Sequence, residues 1–475
     1  MSDDLLKFVS IDQRMPDKRD ASERLKDFDE VYKEFDIKGA QAQSSRCSQC
    51  GVPFCLIHCP LGNNIPDWLR LTAEGRLEEA YEMAASTNNM PEICGRICPQ
   101  DRLCEGNCVI EKDFDAVTIG SIEKYIADTA WENGWIKPIK PLVEREQSIA
   151  IIGAGPAGLA AAEELRKDGY QVHIYDRHDR AGGLLVYGIP GFKLEKDVVG
   201  RRTGRLEQSG ITFHLDFEVG REASLTDLRD KHDALLVATG VYRARGLKAP
   251  GVGLGNIREA LDYLIASNKK SFGDDVPEFD SGALDANGKN VVVIGGGDTA
   301  MDCVRTAVRQ GAKSVKCLYR RDRENMPGSV REVKNAEEEG VEFVWLSGPE
   351  AFLGDENVDA VRAYRMRLGA ADATGRQAPE PVPDSAFMID CDLAILSLGF
   401  EPEDLPALFD APELRVTRWG TVTVDHDTMM TNLNGVFAAG DIVRGASLVV
   451  WAIRDGRDAA DCIKAHLQKQ LSEAA

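Results

Sequence analysis

One pattern occurs twice in this chain and limits its architecture more than any other: a short apolar run, a glycine-rich turn, then a helix-forming run. The first copy joins Ser148-Ile149-Ala150-Ile151-Ile152 to Gly153-Ala154-Gly155-Pro156-Ala157-Gly158 and the stretch Leu159 to Leu165. The second joins Val291-Val292-Val293-Ile294 to Gly295-Gly296-Gly297-Asp298-Thr299-Ala300. A strand entering a helix through G-x-G-x-x-G or G-x-G-x-x-A lets the backbone approach a pyrophosphate and points the helix N-terminus at its charge. Two copies predict two parallel sheets covered by helices, each forming a dinucleotide site.

The strand after each turn distinguishes the sites. Gln171-Val172-His173-Ile174-Tyr175 ends at Asp176, where a carboxylate reaches ribose hydroxyls. Val315-Lys316-Cys317-Leu318-Tyr319 ends in Arg320-Arg321, an arginine pair suited to the 2′-phosphate of NADPH. The plainer alternative is two surface arginines at a strand end.

Eight of the 12 cysteines lie between Cys47 and Cys108, and the next is Cys303. They form two quartets, Cys47-x2-Cys50-x4-Cys55-x3-Cys59-Pro60 and Cys94-x3-Cys98-Pro99-x4-Cys104-x3-Cys108, stretched forms of a ferredoxin-type run. Two structural zinc sites are the alternative that thiolate chemistry leaves open. Iron is favoured if one of the dinucleotide sites holds a flavin, because a hydride arrives as two electrons and clusters pass them singly. Reductase chemistry needing a dithiol beside the flavin has no cysteines to use between Cys108 and Cys303. Cys303, Cys317, Cys391 and Cys462 read as buried thiols, and His58 as a loop residue.

A length of 475 residues implies several domains. With 78 acidic against 57 basic residues, the net charge of −21 disfavours nucleic acid and anionic membranes. The N-terminus has no basic or apolar signal, and no run of 18 apolar residues occurs, so a cytoplasmic protein is expected. Leu25, Phe28, Val31, Tyr32 and Phe35 stand at roughly helical spacing, and one helical stretch is expected from Pro66 to Ala85 and another from Ile119 to Trp131. Lys137-Pro138-Ile139-Lys140-Pro141 reads as a linker, segments 266–289 and 369–386 as loops, and Glu337-Glu338-Glu339 as the solvated face of a helix.

The late segment Thr431 to Asp441, ending Ala438-Ala439-Gly440-Asp441, resembles the closing motif of two-dinucleotide flavoproteins of the glutathione reductase type. Leu235 to Gly240 and Ala394 to Phe400 resemble the paired crossovers of that fold, and Gly182-Gly183-Leu184-Leu185 resembles a flavin-contacting turn. The resemblance implies FAD at the first site, held by Gly153, Gly155, Pro156, Ala157, Gly158, Asp176, Gly183, Leu184, Gly440 and Asp441. A helix beginning near Ala446 would then face the flavin ring with its N-terminus. NADPH would occupy Gly295, Gly296, Gly297, Asp298, Thr299, Ala300, Arg320 and Arg321.

Together with the cysteine-rich head, these motifs resemble the family of small subunits of bacterial NADPH-dependent glutamate synthase over essentially the whole chain. The resemblance implies an α/β fold with two Rossmann-like domains of the glutathione/adrenodoxin reductase type and an N-terminal helical iron-sulfur domain. The expected boundaries are 1–145 for the head, 146–250 with 400–475 for the FAD domain, and 251–399 for the NADPH domain. Two [4Fe-4S] clusters are implied, one on Cys47, Cys50, Cys55 and Cys108 and one on Cys59, Cys98 and Cys104, with Glu123 or Cys94 completing the second. No cysteine stands at position 2 to act as a glutaminase nucleophile, so glutamate synthesis is expected on a large-subunit partner. The rival readings are a large subunit of a ferredoxin-linked NADP oxidoreductase and a zinc-stabilised NADPH-binding scaffold.

Overall fold

The computed structural model describes residues 4–372 and 377–474. Its first unit is a helical head built from Ile37–Ser44, Ile65–Ala73, Leu77–Thr87, Pro91–Ile97 and Ile119–Glu132. Trp68, Leu69, Ile122 and Ile126 are fully buried at its centre. The short helices leave long irregular connections, and these carry six of the eight head cysteines.

Two five-stranded parallel sheets follow, each with its glycine-turn strand in the middle. The first runs in the order Val436–Ala438, Ala234–Val237, Ser148–Ile152, Gln171–Tyr175, Thr212–His214. The second runs Ile257–Glu259, Leu393–Leu396, Asn290–Ile294, Ser314–Leu318, Glu342–Val344. Four-residue runs such as Ala234–Val237 and Leu393–Leu396 are buried on both faces, as parallel strands between helix layers must be. The first sheet takes its edge strand from far along the chain, so the second sheet is inserted within the first domain. Crossovers at Arg243–Ala244 and Phe400–Glu401 pair antiparallel where the chain leaves and returns. The long helix Val449–Ala474 then packs on Pro156–Lys167, close enough that a Cβ on Gly456 would lie 2.2 Å from the Ala157 carbonyl oxygen.

Several local expectations are overturned. The segment from Leu25 to Asp36 is extended and turned, not helical, with an isolated bridge between Lys18 and Tyr32. Its apolar residues serve another domain: the Val31 N–H donates to Phe192 O at 3.2 Å, and the Phe28 ring meets the Phe192 ring. The stretch from Pro66 to Ala85 is two helices, broken where Gly75 adopts φ +79°. Within 369–386 the run Gln377–Pro381 is a strand paired with Ala360–Ala371, while residues 373–376 lie outside the described residues. Segment 266–289 contains the end of helix Ala260–Ser271 and the helical turn Pro277–Asp280. The acidic run is a solvated face only in part: Glu337 and Glu338 stay partly exposed, but Glu339 is buried and pairs with Arg305, Arg309 and Arg24. Cys303, Cys317 and Cys391 are buried, but Cys462 is only half-buried.

Candidate functional site

In both sheets the first glycine of the turn has positive φ, +112° at Gly153 and +149° at Gly295. A Cβ there would lie 2.4 Å from Ala238 O and 2.1 Å from Ser397 O, oxygens at the ends of the neighbouring strands. Only glycine fits either position. One turn later the space opens: a Cβ on Gly155 or Gly297 would meet nothing within 4 Å. Gly155 caps helix Pro156–Lys167 and Gly297 caps helix Asp298–Arg309, so each open cradle sits at a helix N-terminus, where backbone N–H groups and the helix dipole favour phosphate.

The Asp176 carboxylate closes the first cradle. It accepts the Ala154 N–H at 2.7 Å and the His178 N–H at 2.8 Å, which fixes it at the strand end. Gly183 packs against Gly155, and the turn it begins brings Leu184 and Leu185 to the wall of a cavity of ≈ 280 Å³. That cavity also touches Gly155, Pro156, Ala157, Gly440 and Asp441. Asp441 is anchored by the Ser447 hydroxyl at 2.8 Å, just before the long helix, whose first residue is Val449, close to the start expected near Ala446. A second space of ≈ 60 Å³ continues past Asp176 between Tyr175, Arg177, Phe217 and Leu405. Thr239 lines both spaces and its buried hydroxyl has no hydrogen-bond partner, as a residue awaiting a ligand group would. These features fit a dinucleotide with an extended ring system such as FAD.

On the second sheet, Asp298 and Thr299 face the same cavity, whereas Gly295, Gly296, Gly297, Ala300, Arg320 and Arg321 do not line it. The Asp298 carboxylate accepts the Ser329 N–H at 2.9 Å, and Gly328 N–H donates to Gly296 O, so the 326–331 loop folds over the turn. Arg320 is exposed and makes no ion pair among the described residues, while Arg321 Nε is buried without a partner. Both observations fit an anionic ligand group at this strand end. Thr239, Tyr242, Lys193, Arg331 and Asp302 also line the central cavity; Thr239 lies in the crossover segment Leu235 to Gly240, whereas the other four carry no motif that would have singled them out.

The head cysteines gather in two groups that cross between the quartets. Cys47, Cys50, Cys55 and Cys108 line one small pocket. Cys59, Cys94, Cys98, Cys104 and Glu123 interact electrostatically as the other group. Among the described residues no three His, Cys, Asp or Glu side chains are grouped so as to hold a single metal ion. Burial pushes the Cys47 thiol up to about 11, Cys55 to about 12 and Cys59 to about 11. Thiolates are therefore stable here only beside added positive charge, the condition a metal group meets. Burial also pushes the Glu123 carboxyl up to about 8, against the Asn88 and Asn63 amides that donate to its Oε1 at 3.0 and 2.9 Å. His58 bonds only locally, to Phe54 O.

The two regions meet. Cys98 and Pro99 line the central cavity together with Gly153 and Thr299, so one space touches the head, the first sheet domain and the second.

Comparison with known proteins gives this geometry a family. Residues 24–135 match the family described as "Dihydroprymidine dehydrogenase domain II, 4Fe-4S cluster", and residues 147–456 match "Pyridine nucleotide-disulphide oxidoreductase". The glutamate synthase [NADPH] small chain of Azospirillum brasilense is 68% identical over 97% of this chain and 96% of its own length. The protein of the same description from Escherichia coli is 44% identical over 98% of this chain and 99% of its own. In fold, the chain is similar to Mycobacterium tuberculosis FprA in complex with NADPH, with a TM-score of 0.59 at 20% identity over 70% of this chain and 86% of that one. No helix among the described residues is long and apolar enough to cross a membrane. The chain is an oxidoreductase with a 4Fe-4S domain, and it belongs to the glutamate synthase [NADPH] small-chain family.

Proposed function

We propose that this chain oxidises NADPH and delivers the electrons to a large subunit that forms L-glutamate from L-glutamine and 2-oxoglutarate. The observation that carries this reading is the shared cavity, which brings the first glycine cradle, Asp298 and Thr299 behind the second glycine turn, and Cys98 to one space. The chemistry supplied by the bound groups is hydride acceptance by FAD and one-electron relay by two [4Fe-4S] clusters.

The chain's own residues bind and orient. Gly153, Gly155, Gly158, Asp176, Gly183, Leu184, Gly440 and Asp441 are assigned to FAD, with Thr239 and Tyr242 added because they line its cavity. Gly295, Gly297, Asp298, Thr299 and Ala300 would receive the pyrophosphate of NADPH, and Arg320 with Arg321 its 2′-phosphate. No side chain is required as acid or base for hydride transfer, since positioning and electrostatics are the protein's contribution. Cys47, Cys50, Cys55 and Cys108 are assigned to one cluster and Cys59, Cys98 and Cys104 to the other, with Glu123 as its fourth ligand and Cys94 as the competitor. The boundaries 1–145, 146–250 with 400–475, and 251–399 describe the three working units. Cys303, Cys317, Cys391 and Cys462, which form no disulfide, suit a reducing compartment and therefore the cytoplasm.

Anaerobic mixing of the chain with its large subunit tests the reading. NADPH-dependent glutamate formation is expected, and Cys98→Ala should abolish it while NADPH still bleaches the flavin. Glutamate formation that survives in Cys98→Ala would contradict the proposed route.

A further inference from the structure

Two crossovers alone join the second sheet domain covalently to the first, so non-covalent contacts must set how the two glycine turns face each other. One such contact, at the wall of the shared cavity, is a plug from the loop Gly191-Phe192-Lys193. Phe192 is 1% exposed, and its ring lies under two guanidinium groups, 4.4 Å from Arg305 and 4.1 Å from Arg309. Lys193 Nζ lies 2.8 Å from Asp302 Oδ1. Asp302, Arg305 and Arg309 stand at i, i+3 and i+7 on helix Asp298–Arg309, so the plug grips one face of the helix whose N-terminus carries the second turn.

Each part of the grip is braced. Arg305 bonds Glu332 and Glu339, Arg309 bonds Glu339, and Arg24 from the head reaches Glu339 at 3.1 Å. The head also reads the plug directly through Val31 N–H to Phe192 O. A stacked ring alone fixes separation but leaves rotation free, whereas a second, directional contact fixes both. Lys193 and Asp302 supply that contact, and both line the central cavity shared with Gly153, Thr299 and Cys98.

We propose that Lys193 is a positioning residue for hydride transfer: its bond to Asp302 sets the register of the NADPH-binding helix over the flavin cradle. The proposal rests on the dinucleotide assignments above. NADPH affinity resides at the second turn and Arg320-Arg321, so losing the bond should slow transfer without weakening binding.

The test compares wild type with Lys193→Met and Lys193→Arg, measuring NADP⁺ affinity by equilibrium titration and flavin bleaching by saturating NADPH in anaerobic stopped flow. Lys193→Met should lower the limiting rate about tenfold or more, since displacements of about 1 Å carry costs of that order. Its NADP⁺ Kd should change by less than about threefold, and Lys193→Arg should keep most of the rate. Hydrogen exchange in the first turn of helix Asp298–Arg309 should rise in Lys193→Met only. If Lys193→Met does not fold, Asp302→Asn should give the same split between rate and affinity. An unchanged rate, or affinity lost in step with rate, overturns the proposal. A wild type whose flavin NADPH does not bleach refutes the functional reading itself, which keeps the two failures apart.

Discussion

The junction between the head and the first sheet domain depends on one buried guanidinium, and replacing Arg202 by Met should expose that dependence. Arg202 Nε and Nη2 lie 2.7 and 2.8 Å from the two Glu92 carboxylate oxygens, and both side chains are almost wholly buried. Glu92 opens helix Pro91–Ile97, which ends at Cys98, so the pair positions the cysteine facing the central cavity. Burial would raise the neighbouring Glu163 carboxyl, but the Arg202 and Arg205 guanidiniums overrule it and hold it down to about 2. Lys167 and Arg205 remain as partners for Glu163 in the variant, whereas Glu92 has no other ion-pair partner among the described residues. Stranding one charge of a buried pair costs about 3–5 kcal/mol, while replacing both by apolar groups is near neutral. The assay is urea unfolding followed by tryptophan fluorescence, because Trp131 in the head lies 5.3 Å from the Arg202 guanidinium. Arg202→Met should lower head stability by about 3–5 kcal/mol, and Glu92→Leu added to it should restore most of the loss. A loss below about 1 kcal/mol, or a double variant no better than the single, would refute the argument.

Three shorter predictions test other parts of the molecule. Each charged hydrogen bond to the 2′-phosphate contributes about 1.5–3 kcal/mol, so Arg321→Ala should weaken NADPH about 10- to 100-fold and leave NADH affinity unchanged in equilibrium titrations. Glu123→Ala should remove the second cluster's signal in paramagnetic resonance of reduced protein and Cys94→Ala should not; the reverse pattern would assign Cys94. The histidines His173, His214 and His232 cluster on the first sheet, and burial lowers all three pKa values, His232 to about 4. The unfolded chain therefore binds protons that the folded chain refuses, and thermal stability should fall as pH drops from about 6.5 towards 4, with His232→Gln flattening that slope.

The two dinucleotide units were legible because their determinants are local: a few β-branched residues, a glycine that must take positive φ, and a helix directly behind it. What escaped reading depends on partners distant in sequence. The apolar residues from Leu25 to Phe35 match a helix by spacing, yet Phe28 and Val31 are spent on Phe192, over 160 positions away, and the chain there is extended. Glu337 to Glu339 look like any solvated helix face until Arg24, Arg305 and Arg309 arrive on other elements. The break within the single helix expected from Pro66 to Ala85 had a local signal that went unused, Gly75, since a glycine amid helix formers marks a turn. Lys193 and Asp302 show no motif, because an interdomain contact imposes no periodicity on either segment.

If one cavity couples NADPH oxidation to a flavin and an iron-sulfur head, the visible spectrum of anaerobically purified protein, titrated separately with NADPH and NADH, must report it. Flavin bleaching by NADPH at far lower concentration than by NADH, over a broad iron-sulfur background, is the predicted result. A colourless protein, or one whose flavin NADPH leaves oxidised, would contradict the account.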